Sequence, residues 1–420
     1  MYKDNLKLSD IFWNTLGSVT FSIVSIVLSI VVINLCGKIE GGIFSFGFST
    51  LAHLVFIFSY FGIRPMHIVD IKYKYKFKEY LNFGKTTTLI GIILALVYVF
   101  TMYILGKSSL SKVLILFCLI LHGAMNGISD YYECEYQRVN KLSLSGQSLF
   151  IRITSFALTL VVLIYYLNNL IISLAFSLLI EFFIFYLMNV IRCKKYFDFS
   201  IDNNDIYINM KSLFTDSFPL FLIVFLDMYI FMSSKFAIDF NLTDIDNGYF
   251  NLIFMPTNAI YLVLNLFIKP LLTPLSNYYH GSRKEYNKLL LKVIFIALGI
   301  SSIFILGTVV FSEYYNSLIM ILTGNVYYEY KNITDSLLLL IIIGGGLYSL
   351  SAPMYYALII ENKQKYLVIS YVFSSLCALF VSNYFVRCFG IKGAAISYVA
   401  NMGIVLISIL IVKGLTNLHE

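Results

Sequence analysis

The sequence predicts an all-α polytopic membrane protein with about twelve transmembrane helices. Of its 420 residues, 59% are hydrophobic and only 13% are charged, which is too little polar surface to cover a water-soluble domain. The mean hydropathy is +0.82, and the apolar residues come in runs of about twenty, the length that crosses the hydrocarbon core of a bilayer as a helix. These runs must be helical because irregular backbone exposed to lipid would leave its polar groups unpaired.

The segment from Gly41 to Lys85 orients the predicted helices. An apolar run over 42–61 is followed by Arg64 and then by a loop rich in lysine, with Lys72, Lys74, Lys76 and Lys78. Short loops of this kind stay on the cytoplasmic side, so the remaining spans alternate from this one and both termini are predicted to be cytoplasmic. The net charge of +7 is therefore interpreted as an orientation signal, and no nucleic-acid partner is expected.

The first part of the chain, 1–195, is predicted as a six-helix lobe. Its first apolar run is too long for a cleavable signal peptide, and no small-residue cleavage site follows. Turns at Gly106 and at Asn168 separate neighbouring spans. The six predicted spans lie near 11–35, 42–63, 85–105, 110–132, 147–166 and 170–191.

A hydrophilic segment follows, and we predict 196–212 as a cytoplasmic linker between two lobes. The second lobe, 213–420, is predicted to complete a central cavity between two similar halves, as in transporters built from parallel repeats. The segments 138–141 and 361–365 occupy equivalent places in the two halves. The predicted spans of the second lobe lie near 213–236, 249–271, 288–311, 335–359, 366–386 and 393–413.

The motifs of common enzyme classes are absent from the sequence. It contains no HExxH pair, no P-loop and no glycine-rich dinucleotide turn. The predicted loops are too short to hold a catalytic domain, so we expect a protein that is not an enzyme. The six cysteines form no CxxC pair, which disfavours a disulfide or metal framework, and no cofactor is expected.

Polar residues recur at helical spacing within several predicted spans. Lipid-facing helix surfaces do not easily tolerate such stripes, so they predict a hydrophilic cavity lined by spans of both halves. Two alternatives stay open: serine hydroxyls bond to their own helix, and Arg152 or Lys269 extends to the headgroups. A further expectation pairs Arg152 with Asp130 or Glu133. The stripes comprise Asn14, Ser18, Ser22, Ser25 and Ser29 in the first span, His122, Asn126, Asp130 and Glu133 in the fourth, and Asn251, Asn258, Tyr261, Asn265 and Lys269 in the eighth.

Two carboxylates, Asp227 and Glu181, lie deep within predicted spans. A carboxylate at that depth is costly unless it is protonated, paired or coupled to an ion. We therefore name Asp227 and Glu181 as candidates for coupling transport to H⁺ or Na⁺, with Asp227 as the leading one.

Short motifs along most of the chain carry a family resemblance. They are GGIFSF at 41–46 with FGIR at 61–64, SFPL at 217–220, the segment 358–365, and FGIKGAAI at 389–396. These resemble the second, seventh and closing spans of the polysaccharide-transporter branch of the multidrug/oligosaccharidyl-lipid/polysaccharide (MOP) exporter superfamily, the Wzx-type flippases of O-antigen and capsule repeat units. The sequence departs from many relatives in having no arginine in its first span and none deep in its seventh or eighth.

The resemblance implies a flippase of the bacterial cytoplasmic (inner) membrane. Such a protein moves an undecaprenyl-diphosphate-linked oligosaccharide from the inner to the outer leaflet by alternating access, driven by an ion or by the substrate gradient. It implies a monomer whose partners are membrane lipids and a polysaccharide polymerase of the same pathway. Because cations and amides would bind the headgroup, we assign substrate contact to His53, Arg64, Arg152, Asn258, Asn265 and Lys269.

Two other functions are weighed against the flippase. A MATE-like, ion-coupled drug or cation exporter would favour an acidic and aromatic cavity, which Asp227 could supply. A membrane polysaccharide polymerase would need a sizeable outer loop with arginine and histidine, and the longest predicted outer loop, 312–334, contains neither. A lipid II flippase is a third relative of the same kind, although such proteins usually have more spans.

Overall fold

The computed structural model describes residues 8–70, 74–197 and 206–418. Within these residues the chain is helical and contains no β-strand. Nine of the described helices are long and apolar enough to cross a membrane, which confirms the predicted all-α polytopic fold. Two of the nine, Leu8–Tyr60 and Gln364–Leu415, contain 53 and 52 residues. At about 1.5 Å per residue, each is long enough to cross a bilayer twice.

The first half of the chain forms α1 to α7. Gly37, with φ 82° and ψ 179°, breaks α1 between the predicted first and second spans, a conformation that glycine adopts without steric cost. A π-helical segment, Gly47–Leu51, joins α1 to α2, and a second one, Tyr186–Ile191, extends α7. The helices are α1 (Leu8–Phe46), α2 (Ala52–Tyr60), α3 (Arg64–Val69), α4 (Phe77–Ile104), α5 (Leu110–Arg138), α6 (Leu142–Leu167) and α7 (Leu170–Phe185).

The second half forms α8 to α13. Gly390, with φ 58°, divides α13 between the last two predicted spans. When both long helical stretches are counted as two spans and the 25-residue α9 is included, the described chain supplies the twelve predicted spans. The helices are α8 (Ile206–Asn241), α9 (Asp244–Ile268), α10 (Leu272–Gly281), α11 (Arg283–Leu322), α12 (Thr334–Ile360) and α13 (Gln364–Leu418).

The chain divides into two compact units, Met1–Phe225 and Leu226–Glu420, which we call the N-terminal and C-terminal units. Helix α8 begins in the first unit and ends in the second. Of the predicted linker 196–212, residues 198–205 lie outside the described part of the chain. The predicted lobe boundaries therefore stay a prediction.

The first half of α8 packs within the N-terminal unit through aromatic side chains. Phe221 stacks on Phe61 with 4.0 Å between ring centroids, and Phe225 packs on Phe58 at 4.8 Å. The α8 phenylalanines at 214, 218, 221 and 225 recur every three or four residues, so they share one face of the helix. This aromatic face explains why the start of α8 belongs to the first unit.

The same turn recurs at equivalent places in the two units. Asn140 and Asn362 both adopt the left-handed conformation, with φ 59° and 57°. The amides that follow them bond back to the preceding helix, Lys141 N to Tyr136 O at 2.7 Å and Lys363 N to Leu358 O at 2.8 Å. Asparagine tolerates this conformation better than most residues. The turns support the expected repeat of one architecture in both halves.

Close packing of α2 against α5 places the polar face of α5 inside the N-terminal unit. A Cβ atom on Gly123 would lie 2.3 Å from the Ala52 carbonyl oxygen, and one on Gly127 would lie 2.0 Å from the Ser59 Cβ. Only glycine therefore fits at these two positions, as is common where membrane helices approach closely.

Candidate functional site

The polar stripe predicted for the fourth span lies inside the N-terminal unit, where α5, α6 and α7 meet. Five side chains gather there, and their residues are between 0 and 8% exposed. Three come from α5, one from α6 and one from α7, so no single helix carries the group. We call this group the ionic cluster: His122, Asn126, Glu133, Arg152 and Glu181.

Four members of the ionic cluster form a closed ring of hydrogen bonds. Glu181 Oε1 accepts from Arg152 Nη1 at 2.8 Å, and Glu181 Oε2 lies 2.8 Å from His122 Nδ1. Asn126 completes the ring, since its Oδ1 accepts from Arg152 and its Nδ2 lies 3.0 Å from His122 Nε2. With the amide donating to Nε2, the ring proton of His122 resides on Nδ1 and is donated to Glu181. The pattern therefore describes a neutral imidazole.

The fifth member, Glu133, lies outside the hydrogen-bonded ring. Its Oε1 lies 3.6 Å from Arg152 Nη2, and this buried oxygen has no hydrogen-bond partner among the described residues. The Glu133 side chain is 6% exposed, whereas that of Glu181 is 0% exposed. One guanidinium therefore faces two carboxylates, and it lies closer to Glu181 than to Glu133.

Irregular helix and aromatic rings surround the ionic cluster. Phe156 and Phe48 stack on His122 with centroid distances of 4.2 and 5.4 Å, and Phe48 lies in the π-helical segment Gly47–Leu51. Elsewhere in the same unit, Ser148 on α6 donates to Asn189 at 2.5 Å, and Asn189 lies in the second π-helical segment. Single turns of π-helix inside α-helices occur frequently at functional sites.

A second ion pair lies further along α5. Arg64, at the start of α3, pairs with Asp130, and their side chains are 35 and 8% exposed. The neighbouring Asp130 carboxylate raises the pKa of Arg64. Arg64 is thus partly accessible, in contrast to Arg152, whose side chain is 2% exposed.

The other predicted substrate contacts lie at several places in the fold. His53 is half-buried on α2, where its ring lies 5.9 Å from that of Phe56. Asn258 is exposed on α9. Asn265 and Lys269 belong to α9 and to the short 3₁₀ turn after it, and their side chains lie outside the described part of the structure.

Asp227, the leading ion-coupling candidate, lies on α8 in the C-terminal unit. The Tyr348 hydroxyl donates to its Oδ2 at 2.7 Å, and Tyr371 provides a second hydroxyl to the same carboxylate. Tyr348 in turn packs on Phe231, at 5.2 Å between ring centroids. The surroundings of Asp227 are therefore aromatic and hydroxyl-rich.

The serine stripe of the first span has a simpler explanation. The hydroxyls of Ser18, Ser22 and Ser25 each donate to the carbonyl four residues earlier in α1, at 2.9, 3.0 and 2.7 Å. These serines therefore satisfy their hydrogen bonds within their own helix, which is the alternative left open above.

Comparison with known proteins gives structural matches only. No family model matches the sequence, and no curated protein matches it. Among solved structures, the lipid II flippase MurJ in an inward closed conformation matches with a TM-score of 0.67 and 14% identity over 96% of this chain and 87% of MurJ. A variant of the Vibrio cholerae MATE transporter VcmN gives 0.61 and 13% over 99% of both chains. An inward-facing MATE family transporter of the MOP superfamily gives 0.56 and 14% over 96% of this chain and 94% of the other.

The chain has the fold of these transporters and of the flippase. This confirms the polytopic helical architecture expected from the sequence, and identities of 13–14% establish the fold alone. The polysaccharide branch stays a prediction. The proteins that match are named as transporters and a flippase, in keeping with the expectation of a multi-pass membrane transporter.

The sequence predicted the α5 residues of the ionic cluster better than their contacts with α6 and α7. The spacing of His122, Asn126 and Glu133 predicted a polar face on α5, and Arg152 was expected to pair with an α5 carboxylate. The structure confirms the pair with Glu133, at 3.6 Å, and adds Glu181 on α7 as the closer, hydrogen-bonded partner at 2.8 Å. The tyrosine partners of Asp227 carried no sequence signal, because the chain has 33 tyrosines.

Proposed function

We propose that the protein is a MOP-type flippase that moves an undecaprenyl-diphosphate-linked oligosaccharide from the inner to the outer leaflet of a bacterial cytoplasmic membrane. The observation that supports this most is the match to the lipid II flippase MurJ, at a TM-score of 0.67 over 96% of the chain. A lipid-linked substrate with a large polar headgroup is thus the substrate class that we adopt. The polymerase partner and the monomeric state belong to the same proposal.

Headgroup transfer requires polar groups at membrane depth. A diphosphate-sugar cannot enter hydrocarbon unaided, and charge-assisted hydrogen bonds from arginine or histidine would replace its hydration. Arg64 is the cation that we propose for the diphosphate, because its side chain is 35% exposed. His53 and Asn258 are proposed as further headgroup contacts, together with Asn265 and Lys269.

Arg152 receives a different role in this proposal. Its guanidinium is buried, bonded to Glu181 and Asn126, and 3.6 Å from Glu133. Removing it from these partners to bind a phosphate would leave two buried carboxylates uncompensated, which is strongly unfavourable. We therefore propose that Arg152 holds the ionic cluster together and does not contact the substrate.

The proposal is tested with purified protein in liposomes. A fluorescent polyprenyl-diphosphate oligosaccharide is placed in both leaflets, and a membrane-impermeant quencher reports how fast the protected label becomes accessible. We expect wild-type protein to transfer the label and protein-free liposomes to retain it. Equal rates with a labelled lipid that lacks the diphosphate would contradict the assignment, because the transfer would then be unspecific scrambling.

Arg64 is tested in the same assay. Arg64→Ala removes a charge-assisted contact of about 1.5–3 kcal/mol, so we expect a loss of at least about tenfold in transfer at limiting substrate. Because this change also leaves Asp130 without its partner, Arg64→Ala with Asp130→Asn is made alongside it. If the double variant recovers the wild-type rate, Arg64 serves the ion pair and not the substrate. The exposed Lys392→Ala is the matched control.

A MATE-like exporter of organic cations is the second candidate, and the surroundings of Asp227 favour it. A carboxylate with two tyrosine hydroxyls beside aromatic rings suits a flat cation better than a diphosphate. Efflux of a cationic dye from cells that overproduce the protein tests this function. Efflux by the wild type that is lost in Asp227→Asn, together with no transfer of the lipid-linked sugar, would replace the flippase proposal.

A further inference from the structure

The ionic cluster has a feature that substrate binding does not explain, namely an unbalanced charge inside a packed unit. We infer that the cluster is a proton-binding site, with Glu133 as the residue that takes up the proton. Its role in driving transport rests on the proposed function, whereas proton binding itself does not.

The charge count comes from the hydrogen-bond ring. The ring describes His122 as neutral, which leaves the positive Arg152 against the carboxylates of Glu133 and Glu181. The cluster would therefore carry one excess negative charge, although its residues are at most 8% exposed. An uncompensated buried charge is strongly unfavourable, and one bound proton removes it.

Glu133 is the member that suits this proton. Both oxygens of Glu181 accept hydrogen bonds, from Arg152 and from His122, and such bonds favour the ionised carboxylate. The buried Oε1 of Glu133 has no hydrogen-bond partner in the described chain. The Glu133 side chain is also slightly exposed, at 6%, whereas that of Glu181 is fully buried.

The other charged groups around Glu133 do not change the net charge of the ionic cluster. Arg152 faces it from α6, Arg64 from α3, and Asp130 and Cys134 from α5 itself. Arg64 and Asp130 pair with each other and add no net charge. A metal cation would be repelled by the guanidinium 3.6 Å from Glu133, whereas a proton joins the carboxylate and cancels its charge. The surroundings thus favour H⁺ over Na⁺ as the bound ion.

Protonation has a direct mechanical consequence for α5 and α6. The carboxylate of Glu133 attracts Arg152 across the two helices, and its neutral form does not. Arg152 would then be held by Glu181 and Asn126 alone, which shifts the balance between two helix arrangements. The π-helical segment Gly47–Leu51 contacts the cluster through Phe48, which stacks on His122, and it supplies a turn where such a shift is absorbed.

Proton binding is tested without any transport assay. Purified protein in lipid nanodiscs is acidified stepwise, and infrared difference spectra record the carbonyl band of a carboxylic acid as it forms. We expect a band from a buried carboxylic acid in the wild type, its loss in Glu133→Gln, and its retention at a shifted frequency in Glu133→Asp. The exposed Glu285→Gln is the matched control and should keep the wild-type band.

Asp227 provides the decisive comparison in the infrared experiment. We expect Asp227→Asn to retain the band that Glu133→Gln loses. A band that survives Glu133→Gln, or one that disappears only in Asp227→Asn, would overturn the inference. Circular dichroism and size-exclusion profiles establish that each variant is folded before its spectrum is compared.

Coupling is tested in the liposome assay with and without a pH gradient. We expect the gradient to accelerate transfer by the wild type and by Glu285→Gln, and the ratio of the two rates to fall to about one in Glu133→Gln, because a fixed neutral side chain cannot respond to pH. A wild-type ratio of one, or a ratio that Glu133→Gln leaves high, would remove the coupling role. Absence of any transfer by the wild type would instead defeat the proposed flippase, while the infrared result would still decide whether Glu133 binds a proton.

Discussion

The two units of the molecule bury polar side chains of different kinds. The N-terminal unit encloses ionisable groups that hold one another, in the ionic cluster and in the Arg64–Asp130 pair. The C-terminal unit also buries an ion pair, Glu361 with Lys413, but most of its buried polar contacts are hydroxyls and amides that bond between helices or between the two halves of α13. Examples are the pairs Ser234–Ser397 at 2.9 Å, Ser301–Ser349 at 2.6 Å, Ser370–Ser408 at 2.6 Å and Asn401–Ser382 at 2.8 Å.

The two kinds of polar group differ in whether their charge changes with pH. Hydroxyls and amides join helices at low desolvation cost and do not change charge with pH, so they fix an arrangement. Buried carboxylates and histidines cost more, and a single proton alters the forces between them. The two units share the left-handed asparagine turn, and on this comparison the N-terminal unit concentrates its ionisable groups in one cluster.

Removal of Arg152 gives the largest expected effect and tests the comparison most directly. Arg152→Ala leaves Glu181 and Glu133 buried without a cation, so we expect a loss of about 3–5 kcal/mol in stability. In the C-terminal unit, Ser349→Ala removes one hydroxyl pair and should cost about 1 kcal/mol. Thermal unfolding of the purified proteins in one detergent measures both changes.

A double variant tests whether the loss of stability comes from the uncompensated carboxylates. Arg152→Met combined with Glu181→Gln removes a charge of each sign, so the double variant should be more stable than Arg152→Met alone. Equal stability of the single and double variants would show that Arg152 acts through its packing and not through its charge.

The equivalent turns at Asn140 and Asn362 test the part of the design that the units share. Both residues are left-handed, a conformation that costs an ordinary residue about 1–2 kcal/mol. We expect Asn140→Ala and Asn362→Ala to destabilise the protein by similar amounts of this order, and the corresponding glycine variants to restore most of the loss. Thermal unfolding again measures the change.

The stability losses at the two turns test whether the turn is a repeated element of the two halves. A large loss at one turn and none at the other would mean that only one of them is needed to end its helix. The left-handed conformation would then be a local coincidence and not a shared element of the two halves.

Hydropathy was sufficient to predict the helices but not where they end. The fourth span was predicted to stop at 132, where charged residues begin, yet α5 continues to Arg138. The added turn is stable because its charges have partners, such as Glu135 bonded to Arg138 at 2.8 Å. Hydropathy likewise does not report that Phe221, near the start of α8, stacks on Phe61.

Helical spacing predicted which face of a helix is polar but not what that face meets. The stripe on α5 was visible in the sequence, whereas the choice of Glu181 over Glu133 by Arg152 depends on the depth and rotation of three helices. A single sequence does not contain those quantities. Most of the fold was therefore predictable, and so were the members of the ionic cluster, but the contact between Arg152 and Glu181 was not.

The smallest expected effect concerns His67, a buried histidine outside the spans of the N-terminal unit. Its Nε2 donates to Glu135 at 2.7 Å, its ring stacks on Tyr80 at 4.0 Å, and its Nδ1 has no hydrogen-bond partner in the described chain. Burial lowers the pKa of His67, opposed by its hydrogen bond to Glu135. The folded protein therefore holds a neutral ring at pH values where the unfolded chain binds a proton.

The sign of the pH effect follows from this difference. The stabilising contribution of His67 is complete above the unfolded pKa of about 6.5 and is lost as the pH falls from there toward the lowered folded value. We expect the stability difference between wild type and His67→Gln to narrow on acidification below about pH 6.5, because glutamine also donates to Glu135 but does not titrate. The exposed His280→Gln in the C-terminal unit is the matched control for the substitution itself. A stability difference for His67→Gln that stays constant with pH would mean that this histidine is protonated to the same extent in the folded and unfolded states.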